Sequence, residues 1–161
     1  MPKSAEFRKE LLDYLERPRA HISLEKAVAG MPVGLMNRKP RGVPYTPWGL
    51  VEHIRITQRD MIDFMSDPDY RELEWPKAYW PDPVTSKADA KKWNKSVATI
   101  ARDHHALIAL ARHPKRDLLA KIPWGDGQTS MREVMQIIDH TAYHTGELVL
   151  MRRMMGAWKH E

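Results

Sequence analysis

Long segments with apolar residues at every third or fourth position constrain the fold of this chain more than any other feature. Leu, Ala, Met, Arg, Lys and Glu are abundant and β-branched alternation is scarce, so these segments favour helix over strand. Helices are predicted near residues 4–16, 19–29, 47–66, 87–112 and 130–155. Four main helices, each with an apolar face, predict an all-α helix bundle.

Helix boundaries are marked by capping residues and prolines. Thr46 is a good N-cap, and Pro47 suits the first helical position, where no amide donor is missed. Ser86 with Asp89 resembles a capping box and predicts one helix start. The last helix is predicted to begin at Thr129 or Ser130, where Ser130 with Glu133 makes a second capping box. Pro18 predicts a break in the first helical region, and the proline-rich segments 33–45 and 75–83 are predicted loops.

Size and composition favour one domain that spans residues 1–161. A chain of 161 residues that is 42% hydrophobic can bury a real core and is too short to need a second one. Its 26 basic and 21 acidic residues give a net charge of +5, and the basic residues are scattered rather than interleaved with aromatics. This pattern favours a solvated charged surface over nucleic-acid binding.

The sequence contains no cysteine. A disulfide, a thiolate metal site and a cysteine nucleophile are therefore excluded, and any thiol chemistry needs a thiol brought in as substrate. The N-terminus lacks the apolar core of a secretory leader, and no segment approaches the roughly 18 apolar residues of a membrane span. We therefore expect a cytoplasmic protein without a membrane partner.

Histidines are the strongest candidates for chemistry. His140 and His144 lie four residues apart, so both rings project from one face of the last predicted helix and can reach one ion. His53 occupies a similar edge position, near Thr57, in the helix that starts at Pro47. Two helices packed side by side would bring the three imidazoles together, and neutral imidazole is a common metal ligand. A histidine on an apolar flank is usually only a packed ring, so spacing alone leaves both interpretations open.

Two segments resemble the DinB-like superfamily of metal-binding four-helix bundles, which includes bacillithiol and mycothiol transferases. One is Thr46-Pro47-Trp48-Gly49-Leu50-Val51-Glu52-His53-Ile54, similar to the segment that holds the first metal histidine of the family. The other is Asp139-His140-Thr141-Ala142-Tyr143-His144-Thr145-Gly146-Glu147-Leu148, which matches its closing H-x-x-x-H. The similarity runs from about Ala20 to Trp158.

The resemblance implies an antiparallel four-helix bundle in up-down-down-up order, here with a short extra N-terminal helix, and often a homodimer. It also implies a divalent ion, usually zinc or nickel, held by His53, His140 and His144 with water at the open positions. An ion with open positions lowers the pKa of a bound water or thiol. The leading hypothesis is a metal-dependent enzyme acting on a small molecule, by transfer of a low-molecular-weight thiol or by hydrolysis. The alternative is a non-catalytic metal-binding or stress-response module.

Catalytic residues beyond the metal ligands are not identifiable from the sequence. Trp48, Thr57, Tyr143 and Glu147 are candidates for the pocket. Glu147 is predicted to orient a ring or a water, to form a salt bridge with a basic neighbour such as Arg55 on another helix, or simply to be solvated. The dimer is expected to form through apolar residues near the C-terminus, namely Met154, Met155 and Trp158.

Overall fold

The chain forms a bundle of helices. The computed structural model describes residues 2–17 and 20–158, and side chains from residue 5 onward within them. The helices are α1 (Pro2–Glu16), α2 (Leu24–Val28), α3 (Val33–Met36), α4 (Pro47–Ser66), α5 (Ala90–Arg112) and α6 (Ser130–Met154), with one short 3-10 helix, Lys77–Tyr79. The described residues contain no β-strand, only an isolated bridge between Lys121 and Thr129. The predicted all-α class is therefore confirmed.

α4 is the central helix of the bundle. It packs against α5 on one side and α6 on the other, while α1 lies on α5 and α2 lies on α6. Its start is as predicted, because Thr46 accepts a hydrogen bond from the Gly49 amide at 3.0 Å and Pro47 is the first helical residue. No described helix is long and apolar enough to cross a membrane.

Both predicted capping boxes differ from the observed N-caps, by three residues at α5 and by one residue at α6. Asp89 itself caps α5 by accepting from the Lys92 amide at 2.7 Å, whereas Ser86 accepts from the Trp48 indole at 2.9 Å. Thr129 caps α6 by accepting from the Arg132 amide at 3.2 Å.

The first third of the chain also differs from its prediction. The helix expected over 19–29 is a short one, Leu24–Val28, and the loop expected over 33–45 contains the single turn α3. Packing explains the turn, because Met36 at its end is 3% exposed and belongs to the core. The predicted break at Pro18 lies outside the described residues.

Two apolar clusters hold α4 against α6. The first includes Leu50, Ile54 and Leu148, and the second includes Ile62 and Val134. Full burial of one such side chain is worth about 1.5–3 kcal/mol, so each cluster fixes the two helices relative to each other. On α6 the two histidines lie between the clusters, whereas His53 on α4 lies within the first cluster, between Val51 and Ile54. Close-packed apolar residues therefore flank the polar site.

Candidate metal centre

Three imidazoles converge between α4 and α6. His53 comes from α4, and His140 and His144 come from successive turns of α6. Each offers a ring nitrogen, and these three atoms all lie within 4.8 Å of one another. His53 and His144 are buried, with 5% and 7% of their surface exposed, whereas His140 is partly exposed. The cluster is therefore shielded by the bundle and reaches solvent on the His140 side.

The spacing of two of the nitrogens fits a shared ion. The Nε2 atoms of His53 and His140 are 3.0 Å apart. Two imidazoles bound to one zinc ion at about 2.0–2.1 Å, with an angle of about 90–109° between the bonds, have nitrogens about 2.9–3.4 Å apart. His144 lies edge-on to both other rings, with centroids 4.9 Å from His53 and 4.4 Å from His140. The donor set, all nitrogen and all from imidazole, is one that divalent transition metals accept.

A backbone carbonyl sets the tautomer of His53. The Nδ1 atom of His53 lies 2.8 Å from the carbonyl oxygen of Tyr79, and a carbonyl can only accept. Nδ1 therefore carries the proton, and Nε2 presents its lone pair to the cluster. The Thr57 hydroxyl lies 3.4 Å from the same Nδ1, at the limit of a hydrogen bond.

A carboxylate sets the tautomer of His144. Nδ1 of His144 donates to Glu147 Oε2 at 2.6 Å, and Glu147 Oε1 accepts from the Tyr45 hydroxyl at 2.5 Å. This arrangement directs Nε2 of His144 towards the other rings and raises its basicity, as carboxylate partners do for metal-bound histidines. The alternative salt bridge from Glu147 to Arg55 is wrong, because Arg55 pairs with Glu52 on its own helix at 2.9 Å.

An aromatic stack covers one side of the cluster. The Trp80 ring lies parallel to His53, with centroids 3.9 Å apart and planes 3° apart, and Tyr45 stacks on Trp80 at 5.0 Å. Both residues come from loops, where no periodic pattern distinguishes them. Sequence reasoning missed them for that reason, although an aromatic residue in a proline-rich loop was a signal that could have been followed.

Burial keeps two of the imidazoles, His53 and His140, neutral. It lowers the pKa of His140 to about 3, with the neighbouring charges of His144 and His53 acting in the same direction. It also lowers the pKa of His53, against the opposing effect of the Tyr79 carbonyl. Near neutral pH both rings are unprotonated, which is the form that binds metal.

The four pocket candidates lie in different surroundings. Trp48 is buried in the apolar core, and Thr57 sits beside His53. Glu147 contacts His144, and Tyr143 is 64% exposed with its ring 5.0 Å from that of His144. Trp48 is thus a core residue, whereas the other three adjoin the cluster. His104 is not part of it and instead contacts the carbonyl of Leu15.

A large groove lies away from the histidine cluster. This groove, of about 1400 Å³, opens between the N-terminal helices, α5 and α6, and none of the three clustered histidines lines it. Its inner polar groups have partners within the chain: Gln58 donates to the carbonyl of Ile100, and Thr145 donates to that of Thr141. The histidine cluster, rather than this groove, is therefore the place where reactive groups converge.

Comparison with known protein families identifies the chain. A model of the DinB superfamily matches residues 9–148, which include about half of α1, the whole of α4 and α5, and all three histidines. The chain belongs to the DinB superfamily. Searches of curated proteins and of solved structures gave no match. Membership of the DinB superfamily and the buried histidine cluster both point to a divalent metal site.

Proposed function

We propose that the protein is a metal-dependent enzyme that acts on a small molecule through a divalent ion held by His53, His140 and His144. Zinc or nickel is the expected ion, because imidazole nitrogens suit both metals. The observation that carries the proposal is the convergence of three imidazoles, two of which have their tautomers set by hydrogen bonds at Nδ1. A histidine packed only for stability would not need its second nitrogen directed at two other rings.

The three neutral ligands favour an ion with open coordination positions. Three neutral ligands leave the full charge of the ion in place, and an ion with free positions lowers the pKa of a bound thiol or water to near neutrality. Glu147 and the Tyr79 carbonyl hold His144 and His53 in their ligating tautomers. Trp80 covers one face of His53 and excludes water from that side, while the partly exposed side of His140 leaves room for a substrate.

Transfer of a low-molecular-weight thiol is the preferred reaction, with hydrolysis second. The chain has no thiol of its own, so a sulfur nucleophile would have to arrive as a substrate. In such a transfer the thiol loses its proton, its sulfur bonds to an electrophilic carbon, and a leaving group departs from that carbon. A hydrolase would use water in place of the thiol.

His144→Ala tests the proposal. The protein, purified without an affinity tag, is expected to contain about one equivalent of metal and to consume bacillithiol, mycothiol or a simpler thiol with an electrophilic test substrate. Loss of one of three ligands should lower metal affinity by more than the 10–100-fold that is typical for loss of a partner of a ligand. The variant should lose turnover but keep its helicity.

His105→Ala is the matched control, because His105 is exposed and outside the cluster. Full metal occupancy in His144→Ala would overturn the three-histidine site. Normal occupancy in the wild-type protein without turnover of any thiol or hydrolytic substrate would favour the non-catalytic metal-binding module.

A further inference from the structure

The groove between the N-terminal helices, α5 and α6 is open because the helices around it do not close on one another. α5 and α6 form its walls, and Gln58 of the central helix α4 lies at its base. α1 lies on α5 and α2 lies on α6, so neither helix fills the space between α5 and α6. Met155 and Trp158, expected in a dimer contact, instead pack against the chain's own core, and neither lines the groove. The volume of about 1400 Å³ exceeds the roughly 300–1,000 Å³ of a typical small-molecule pocket and suits an elongated ligand.

Aliphatic side chains line the middle of the groove. Those contributed by α5 and α6 include Val97, Ile100, Ile108, Ile137, Ile138 and Val149. Among the described lining residues, Tyr14 is the only Phe, Trp or Tyr. The polar groups at the base are satisfied, because Gln58 donates to the carbonyl of Ile100 at 3.0 Å and Thr145 donates to that of Thr141 at 2.7 Å. This lining offers burial to an alkyl chain and little stacking surface to a planar ring.

The groove extends along most of α6. Its lining residues on this helix begin at Ile137 and end at Arg153, a span of about 24 Å at about 1.5 Å per residue. On α5 they run from Val97 to Arg112, a span of about 22 Å. The alkyl chain of a long-chain carboxylate is comparable in length to either wall.

The cations near α1 have partners within the chain. Arg112 pairs with Glu16, and Arg17 pairs with Asp13. All but Asp13 of these four residues line the groove. The charges of this part of the lining are therefore balanced, and nothing in it selects a charged ligand.

The end of the groove beside α2 carries two cations without a partner. Lys26 and Arg153 line the groove and are exposed. Within residues 2–17 and 20–158, neither side chain takes part in an ion pair or a hydrogen bond. The two residues belong to one end because Arg152 donates to the carbonyls of Ala27 and Ala29, at 2.6 and 2.8 Å, and so holds α2 against the last turns of α6.

One carboxylate, Glu25, also lines this end and has no ion-pair partner among the described residues. Two unpaired cations against one unpaired carboxylate leave an excess of one positive charge. An anionic head group is therefore favoured at this end over a cationic one. From there an alkyl chain can follow the aliphatic lining towards Ile137 and Ile108.

We propose that the groove binds one free long-chain carboxylate, with its head group at Lys26 and Arg153 and its alkyl chain along α6. Burial of methylene groups against the aliphatic lining supplies the affinity, and the unpaired positive charge selects the head group. The proposal does not depend on the metal or on the reaction proposed above, because none of the three clustered histidines lines the groove.

Isothermal titration of the full-length protein with hexadecanoate, below the concentration at which this ligand forms micelles, tests the proposal. One equivalent should bind with micromolar affinity. Each buried methylene contributes up to about fourfold in affinity, so decanoate should bind at least about tenfold more weakly. Hexadecyltrimethylammonium has the same chain with a cationic head and should also bind about tenfold more weakly. No binding of hexadecanoate, or equal affinities for the two head groups, would overturn the proposal.

Titration of the chelated protein distinguishes the groove from the metal site, since a carboxylate can also bind to an ion. Chelation should leave the affinity for hexadecanoate unchanged. Loss of binding on chelation would place the carboxylate on the metal and would overturn the proposal, whatever the outcome for the proposed enzyme.

Gly146→Trp should abolish binding of hexadecanoate by filling the groove. Gly146 lines the groove, and a side chain built on it meets no atom within 4 Å. The variant should fold at least as well as the wild type, because glycine inside a helix costs stability. Ala98→Trp, on the exposed face of α5 outside the groove, is the matched control and should bind normally. Unchanged binding in a folded Gly146→Trp would contradict the location.

Charge variants test the position of the head group. Lys26→Glu combined with Arg153→Glu should weaken binding about tenfold or more, whereas Glu25→Gln should strengthen it. Lys91→Glu is the control, because Lys91 is exposed on α5 and does not line the groove. Equal affinities in all four proteins would overturn the assignment of the head group. Binding of phospholipid vesicles without binding of free hexadecanoate would make this face a membrane contact and would overturn the proposal as a whole.

Discussion

At the scale of single residues, the candidate site depends as much on the partners of the histidines as on the histidines themselves. Glu147 and the carbonyl of Tyr79 each occupy an Nδ1 atom and so leave an Nε2 lone pair for an ion. His140 has no such partner among the described residues, and its only contact through a ring nitrogen is with His53. The three ligands should therefore differ in how firmly they are held.

Glu147→Gln should lower metal affinity about 10–100-fold. The amide oxygen can still accept from His144 Nδ1, but the negative charge that raises the basicity of the ring is lost. Competition with a chelator of known affinity measures the change. Tyr45→Phe is the control, since it removes a hydrogen bond to Glu147 without touching His144 and should have a smaller effect. Equal affinities for wild type and Glu147→Gln would mean that His144 is not a ligand.

The metal-free protein should lose stability as the pH falls below about 6.5. In the unfolded chain His140 has its ordinary pKa of about 6.5 and takes up a proton, whereas burial lowers its pKa in the folded chain to about 3. The unfolded state then binds more protons, and the free energy of unfolding falls progressively between these two pH values. His53, whose pKa is also lowered, acts in the same direction.

Urea denaturation of the chelated protein at pH 7, 5.5 and 4 measures this loss, with His140→Gln as the comparison. The variant should lose less stability over the range because it has one fewer group to protonate. Asp60 and Glu133 have raised pKa values from burial and work in the opposite direction, but both are present in the two proteins. Parallel pH profiles would contradict the prediction.

At the scale of elements, two hydrogen bonds hold the segment between α4 and α5 close to the histidine cluster. The Tyr79 hydroxyl donates to Asp60 Oδ2 at 2.8 Å, and the Tyr70 hydroxyl donates to Asp60 Oδ1 at 3.0 Å. Asp60 lies on α4 two turns beyond His53. These two hydrogen bonds hold the loop against α4, the helix that carries His53. They therefore place the Tyr79 carbonyl and Trp80 against His53.

Tyr79→Phe should weaken metal binding several-fold, up to about tenfold, because the loop carbonyl that orients His53 is then held less firmly. Tyr70→Phe is the matched control, since it removes the other hydrogen bond to Asp60 but belongs to a residue that does not reach His53. Each variant should lower the free energy of unfolding by about 1 kcal/mol. Isothermal titration with zinc distinguishes them, and equal losses of affinity would assign Asp60 a general structural role.

Sequence reasoning recovers the elements better than the connections between them. α4 and α6 are predictable because their apolar periodicity, caps and terminators agree. The positions of the three histidines on these helices are predictable for the same reason. Tyr79 and Trp80 could not be predicted, because a backbone carbonyl has no sequence signature and a loop ring is placed only by tertiary packing. The same reason applies to the N-cap of α5. Ser86 and Asp89 are both good capping residues, but the Ser86 hydroxyl accepts a hydrogen bond from Trp48, and Asp89 caps the helix.

At the scale of the whole molecule, stability and the site are separable. The apolar clusters adjoin the histidines and consist of side chains that pack together without an ion. This arrangement differs from a zinc finger, which is unfolded without its metal. The bundle should therefore be a folded scaffold both before and after metal binding.

Leu107→Ala and removal of the metal should act on different properties. Leu107 is fully buried in the second apolar cluster, and its truncation should lower the free energy of unfolding by about 2–5 kcal/mol without changing metal affinity. Chelation should leave helicity and cooperative melting intact, with a loss of stability that depends on the metal concentration. Thermal melts followed by circular dichroism, with and without chelator, measure both. Unfolding on chelation at room temperature would mean that the ion is structural.

The donor atoms of the cluster also determine how the metal site responds to oxidants. Peroxides and hypochlorite release zinc from many proteins by oxidising thiolate ligands to sulfenic acids and disulfides. All three donors here are imidazole nitrogens, and the chain contains no cysteine to be oxidised in their place. A centre of this composition keeps its ligands under conditions in which low-molecular-weight thiols are being consumed, so oxidative damage would fall first on its methionines.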